Sequence, residues 1–166
     1  MLVGGMRLPS ADIRGPVMRM VYVREDVCMG CGLCRVYCQT EHSRSKDIIK
    51  AFKRETPRPL SRIRVDKNGE VSLAIQCRHC REPWCVYSCL TGAIQRDKTT
   101  GAVIVDAERC IGCWTCLLVC PYEALVRSDD RKVVVKCDLC PDREIPACVA
   151  NCPNEALVLS LEDEGR

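Results

Sequence analysis

Sixteen cysteines stand in four groups of four, and this grouping constrains the chain more than any other feature. The groups are Cys28, Cys31, Cys34, Cys38; then Cys77, Cys80, Cys85, Cys89; then Cys110, Cys113, Cys116, Cys120; and finally Cys137, Cys140, Cys148, Cys152. The first and third share the spacing C-x2-C-x2-C-x3-C. The second widens the middle gap to four residues, and the fourth widens it to seven by inserting PDREIPA. A unit repeated four times in this way must be organised around whatever the thiols bind.

The rest of the composition leaves few alternatives. The hydrophobic fraction of 47% includes the cysteines, and beside them stand one Phe, two Trp and four Tyr. For 166 residues, one domain or two small ones, a side-chain core of that kind is thin. So many cysteines in a short secreted chain would suggest a disulfide framework. The opening MLVGGMRLPSADIRGPVMRM argues against export: Pro9 and Pro16 interrupt it, and no apolar stretch with a small-residue cleavage site follows. Residues 1–20 are expected to be a flexible tail, or partly a misplaced start, since Met18 or Met20 could begin translation. No run approaches the roughly eighteen apolar residues of a membrane span. The expected compartment is the cytoplasm, with any membrane contact made through a partner.

Short strand-like pieces surround the cysteines: VYV at 21–23, RIRV and VSLAI around DKNGE, AIQR and AVIV around DKTTG, VVVKC, and ALVLSL. Asn68-Gly69 and the Gly101 turn predict two hairpins. Apolar residues between third and fourth cysteines, as in CLLVC, predict short helical turns, which Pro121 and Pro153 would stop. Gln39 and Leu90 occupy the corresponding places in groups one and two, so those turns are expected to be looser. Residues 39–76 form the long stretch without cysteine.

Four thiolates suit either a tetrahedral zinc ion or a cubane iron-sulfur cluster. Zinc ribbons usually take two ligands from each of two knuckles. Three cysteines at x2-x2 instead wrap one face of a cubane and leave its fourth iron to a remote ligand. That is the spacing of bacterial ferredoxins, in which the fourth cysteine of each motif serves the other motif's cluster. Zinc and a disulfide framework remain the competing readings. An electron carrier is expected on a further ground, because no H-E-x-x-H, G-x-x-x-x-G-K-[ST] or G-x-G-x-x-G signature is present and there are only two histidines. The chain is therefore expected to carry out no substrate chemistry of its own.

The segment CLTGAIQRDKTTGAVIVDAERCIGCWTCLLVCPYEAL resembles a bacterial two-cluster ferredoxin. By that resemblance, Cys77, Cys80, Cys85 and Cys120 hold one cluster, and Cys110, Cys113, Cys116 and Cys89 its neighbour. Groups one and four then form a second half, with Cys28, Cys31, Cys34 and Cys152 on one cluster and Cys137, Cys140, Cys148 and Cys38 on the other. Pairing group one with two and three with four is the alternative, at the cost of the hairpin unit. The implied fold is α+β: two fused ferredoxin-like units, one from 77–124 and the other from 21–76 with 125–160.

Sixteen thiolates subtract sixteen charges and four oxidised cubane cores return two each, which takes the formal +3 to −5. Yet residues 42–64 hold eight Lys or Arg against two acids. This basic stretch is either a solvated loop offsetting cluster charge or a docking site for an acidic partner. A zinc-stabilised nucleic-acid-binding protein is the alternative from another class. No nucleic-acid motif accompanies the stretch, so nucleic acid is not an expected partner. His79, in QCRHC, either tunes a cluster sulfur or serves packing, and Trp84 and Trp114, each beside a cysteine, are expected to shield clusters from water.

QCRHC, CIGC and KCDLC, opening groups two, three and four, resemble the four-cluster electron-transfer subunits of bacterial and archaeal oxidoreductases, over roughly residues 20–160. That family includes subunits of formate dehydrogenase and dimethyl sulfoxide reductase, hydrogenase-linked polyferredoxins, and the iron-sulfur subunit of carbon monoxide dehydrogenase, which this chain is most similar to. The resemblance implies four [4Fe-4S] clusters and an anaerobic role carrying electrons from carbon monoxide dehydrogenase to a hydrogenase or a flavin-dependent NAD(P) oxidoreductase. Some reductase subunits replace a group-three cysteine with tryptophan. Here Cys110, Cys113 and Cys116 are all present, with Trp114 between them.

Overall fold

In the computed structural model, which describes residues 18–162, every strand has a single partner, so the sheets are four separate antiparallel ladders. The order is β1 (Met18–Val23), α1 (Leu33–Glu41), α2 (Ile48–Lys53), β2 (Ile63–Asn68), β3 (Val71–Gln76), α3 (Trp84–Tyr87) and β4 (Ile94–Arg96). Then follow β5 (Val103–Val105), α4 (Thr115–Val119), β6 (Leu125–Ser128), β7 (Val133–Lys136), α5 (Ala147–Ala150) and β8 (Leu157–Glu162). This is an α+β fold of short helices and hairpins.

Three ladders are local hairpins. β2 pairs with β3 around Gly69, whose φ of +60° suits the turn, and β4 pairs with β5 around Gly101, as the turn residues predict. The β6–β7 hairpin has no such signal, because its turn contains no glycine or proline. Lys132 takes the left-handed backbone there instead, with φ +52°. The fourth ladder is not local: β1 pairs with β8 from Met18 opposite Glu162 to Val23 opposite Leu157. Residues 18–20 thus lie in a strand rather than in the expected tail, and residues 1–17 lie outside the described residues.

The helices follow the chemistry at their ends. α4 stops at Val119, and Pro121 follows the Cys120 cap, as expected. α1, with Gln39 where a proline would stand, runs past Cys38 to Glu41. It is continuous rather than loose: Thr40 Oγ1 donates to the Val36 carbonyl at 2.9 Å, and Gln39 Nε2 donates to the Pro59 carbonyl at 3.0 Å. α2 arises in the stretch without cysteine because Asp47 caps it, its carboxylate accepting the Lys50 N–H at 2.8 Å.

The interior is made of small aliphatic residues and thiols. One group joins Val21, Ile63, Ala74, Leu139 and Leu157 to Cys34, Cys38, Cys77, Cys137 and Cys148. A second joins Ile94, Val103, Leu125 and Val134 to Cys116. The largest fully buried side chains are Ile94, His79, Val103 and Pro146, so no aromatic hydrocarbon fills the centre. A two-stranded ladder is at best marginally stable alone, and these small clusters add little.

Candidate metal centres

The four cysteine groups do not form four separate nests. Cys28, Cys31 and Cys34 line a cavity with Cys152, and Cys77, Cys80 and Cys85 line another with Cys120. Cys110, Cys113 and Cys116 line a third with Cys89. In the remaining set, the thiol of Cys148 lies within the electrostatic reach of Cys137, Cys140 and Cys38. Each of the three cavities therefore brings three cysteines from one group beside the last cysteine of another. The β1–β8 ladder and the packing of α1 on α5 bring the first and fourth groups together, and α3 packed on α4 joins the second and third.

The thiols have the surroundings of metal ligands. All sixteen are free of disulfides. Burial pushes Cys34, Cys85, Cys116 and Cys140 up to about 11 and Cys137 up to about 12, and it drives Cys148 higher still. Buried, crowded thiols like these become thiolates only when a cation joins them. Backbone N–H groups already point at the sulfurs: Arg62 to Cys38 at 3.3 Å, His79 to Cys77 at 3.4 Å, Ile94 to Cys89 at 3.4 Å and Ala124 to Cys120 at 3.5 Å. At exposed Cys113, the N–H and hydroxyl of Thr115 hold the thiol below its ordinary value. Such donors favour ligated thiolate and tune an attached cluster. Four soft donors in a cavity, with N–H groups aimed at them, fit a cubane.

Three residues beside the cysteines, each a candidate from the sequence, fall differently. His79 is fully buried; its Nδ1 accepts the Val103 N–H at 2.9 Å, while its Nε2 has no partner among the described residues. Burial and the nearby Lys136 hold it well below the usual histidine value, so it is a neutral interior residue. Trp114 lines the Cys89 cavity beneath the Arg127 guanidinium, 4.6 Å from the ring centroid, as a shield would. Trp84 lines the cavity of Cys77, Cys80, Cys85 and Cys120, but at its open rim: it is 60% exposed and edge-on to Tyr87.

Two groups carry no clear signal in the sequence. Asp138 accepts from His42 Nε2 at 3.1 Å, from the Arg62 guanidinium and from the Cys140 N–H at 3.1 Å. His42 Nδ1 donates to the Cys38 carbonyl at 2.7 Å. Against the push of burial, these partners hold Asp138 well below the usual carboxylate range, and Asp138 holds His42 up to about 9. Only His42 at the edge of the basic stretch hints at this, and its partner lies 96 residues on. The second group is Lys136, which ends the fully buried run of β7.

The basic stretch divides. Lys46 pairs with Glu41 at 3.1 Å, Arg62 with Asp138, and Arg64 with Glu123 at 3.2 Å. Lys50, Lys53 and Arg54 stand exposed on and beside α2, next to Ile49 at 64% exposure.

The family described as the 4Fe-4S dicluster domain matches residues 71–162, more than half of the chain. The chain belongs to this family. It is 39% identical over 157 residues to electron transport protein HydN of Escherichia coli strain K12, covering 84% of this chain and 86% of the relative. An iron-sulfur protein of Rhodospirillum rubrum is 34% identical over 154 residues, with 83% and 80% covered. The thiosulfate reductase electron transfer subunit PhsB of Salmonella typhi is 34% identical over 151 residues, with 84% and 74% covered. Among solved structures, a chain of the active site complex BamBC of benzoyl coenzyme A reductase aligns with a TM-score of 0.49 at 21% identity, covering 89% of this chain and 79% of that one.

The cofactor is the [4Fe-4S] cluster, and sixteen cysteines in sets of four supply four of them. When bound, such a cluster takes up and releases single electrons. The chain is an electron-transfer iron-sulfur protein. Among its described residues no helix is long and apolar enough to cross a membrane.

Proposed function

We propose that this chain is a four-step electron relay that carries out no substrate chemistry itself. Its ligand sets are Cys28, Cys31, Cys34, Cys152; Cys38, Cys137, Cys140, Cys148; Cys77, Cys80, Cys85, Cys120; and Cys89, Cys110, Cys113, Cys116. The last two sets make one ferredoxin-like half, within 77–124, and the first two the other, from 21–76 and 125–160.

The observation that supports this reading is that three cavities are each lined by three cysteines of one group and the last cysteine of another. The thiols also order the sets. Cys148 feels Cys34, which links the Cys28 set to the Cys38 set. Cys137 feels Cys77, which links the Cys38 set to the Cys77 set, and Cys116 feels Cys85, which links the Cys77 set to the Cys89 set. The outer two sets contain the exposed Cys31 and Cys113. That arrangement supports a line with an electron port at each end. With four protein ligands apiece, none of the clusters keeps an open position for a substrate.

The partner we infer is an oxidoreductase: carbon monoxide dehydrogenase feeding a hydrogenase or a flavin-dependent NAD(P) oxidoreductase, on the resemblance in the cysteine motifs. A molybdopterin enzyme such as formate dehydrogenase is the second reading. That a relative, PhsB, is named as the electron transfer subunit of a thiosulfate reductase supports an oxidoreductase partner under either reading.

Anaerobic purification tests the relay. Brown protein with about sixteen irons per chain and reducible cubane signals in electron paramagnetic resonance is expected. Colourless zinc protein with strongly salt-dependent affinity for RNA or DNA would replace the relay with a nucleic-acid-binding module. The co-purifying catalytic subunit distinguishes the two partner readings.

A further inference from the structure

Lys136 is the one lysine or arginine that is buried among the described residues, at 3% exposure. Among those residues it has no ion pair. Its ammonium donates instead to two backbone carbonyls, Cys137 O at 2.7 Å and Val103 O. A buried cation held only by carbonyl dipoles is costly unless a counter-charge lies nearby. Here the counter-charge is the ligand thiolates and their clusters.

The position of Lys136 is the seam of the relay. Cys137, its neighbour, belongs to the Cys38 set. Val103, its other partner, begins β5 and donates its N–H to His79, which stands between Cys77 and Cys80. Val103 also lines the cavity of Cys77, Cys80, Cys85 and Cys120, so one ammonium is held between the backbone of a ligand of one inner set and the wall of the other. Other cations near the seam are less deeply buried. Arg62 is committed to Asp138 on one side, and Arg96 donates to the Cys80 and Gly101 carbonyls on the other.

We propose that Lys136 is a fixed counter-cation shared by the two inner clusters, raising both reduction potentials so that an electron arriving from an outer cluster is accepted more readily. This rests on the ligand sets proposed above. The step it serves moves one electron from a reduced outer cluster to an oxidised inner one, with no bond made or broken and no proton required. Each reduction adds negative charge beside the ammonium, and in a low-dielectric interior that attraction is only weakly screened.

The test is potentiometric titration of the iron-loaded protein, followed by electron paramagnetic resonance, for the wild type, Lys136→Met, Lys136→Gln and Lys136→Arg. Cys31→Ser and Cys113→Ser identify which signals belong to the outer clusters. The neutral variants should shift the two inner midpoints downward and leave the outer two in place, while Lys136→Arg stays close to wild type. Unchanged midpoints, or an equal shift of all four, would overturn the role of Lys136 without touching the relay. A wild-type protein lacking four cubanes would overturn the relay itself. If neither neutral variant takes up iron, wild-type protein labelled with side-chain-deuterated lysine decides. Deuterium coupling in the inner-cluster signals supports the shared cation, and its absence rules it out.

Discussion

Val21 lies opposite Leu159 in an antiparallel ladder, and this pairing sets Cys28 and Cys152 across one cavity. The ladder and the ligand set depend on each other, since neither closes without the far end of the chain.

Replacing Cys152 with serine should therefore cost one cubane, about four of sixteen irons, and leave the other three. By the same logic, Cys120→Ser should disturb the cluster of Cys77, Cys80 and Cys85 more than that of Cys110, Cys113 and Cys116. Iron and sulfide analysis with resonance spectra of each variant measures this. The opposite order would refute the pairing.

Removing all metal should unfold much of the chain. Two-stranded ladders and a core of alanine, valine and thiols leave little to hold the apoprotein together. Far-UV circular dichroism before and after chelation under reducing conditions is the measurement. A native spectrum with iron absent would show that the hydrocarbon core suffices.

Two glycines beside the second cysteine of their motifs, Gly32 just after Cys31 and Gly112 just before Cys113, should respond differently to alanine. Gly32 has φ +76° and open space where a Cβ would stand, so Gly32→Ala should cost about 1–2 kcal/mol for the left-handed backbone alone. At Gly112, with φ +67°, a Cβ would meet the Lys132 carbonyl oxygen at 2.4 Å. Gly112→Ala should cost roughly twice as much or more, because backbone must move. Thermal melting of the iron-loaded variants compares them.

Asp138→Asn leaves Arg62 and His42 without their shared carboxylate. A loss of about 1.5–3 kcal/mol is expected, the range for a hydrogen bond to a charged group. The double variant Arg62→Met, Asp138→Asn should recover part of it, and a double-mutant cycle by denaturant titration reads the coupling.

If α2 docks an acidic partner, Lys50→Glu with Lys53→Glu should slow electron exchange with that partner at low salt and flatten its dependence on ionic strength, with iron content unchanged. An unaltered salt dependence would assign the patch to solvent.

What can be read from the sequence is local or periodic. Asn68-Gly69 and Gly101 announce their hairpins, and the repeated cysteine spacing announces the iron-sulfur family. The turn between Ser128 and Val133 is invisible because Lys132 supplies the positive φ that glycine usually signals. α2 is hidden in a basic stretch because its determinant is a single Asp47 cap. The Asp138–Arg62–His42 contact and the burial of Lys136 depend on segments that meet only after folding, and a lysine after three valines gives no sign of which way it points. Trp84 and Trp114 each line the cavity of the cysteines they neighbour, but adjacency in sequence does not tell that Trp84 lies 60% exposed at the rim.

The ladder between β1 and β8 also imposes a timetable. Of the described strands β8 is made last, so Cys28, Cys31 and Cys34 emerge early and, in the ligand sets proposed here, wait as three ligands in need of a fourth until Cys152 follows. The half proposed for 77–124 can fill its metal sites before β8 is made, and the cell's cluster-delivery machinery then meets, for the half that encloses it, a chain that is already partly built.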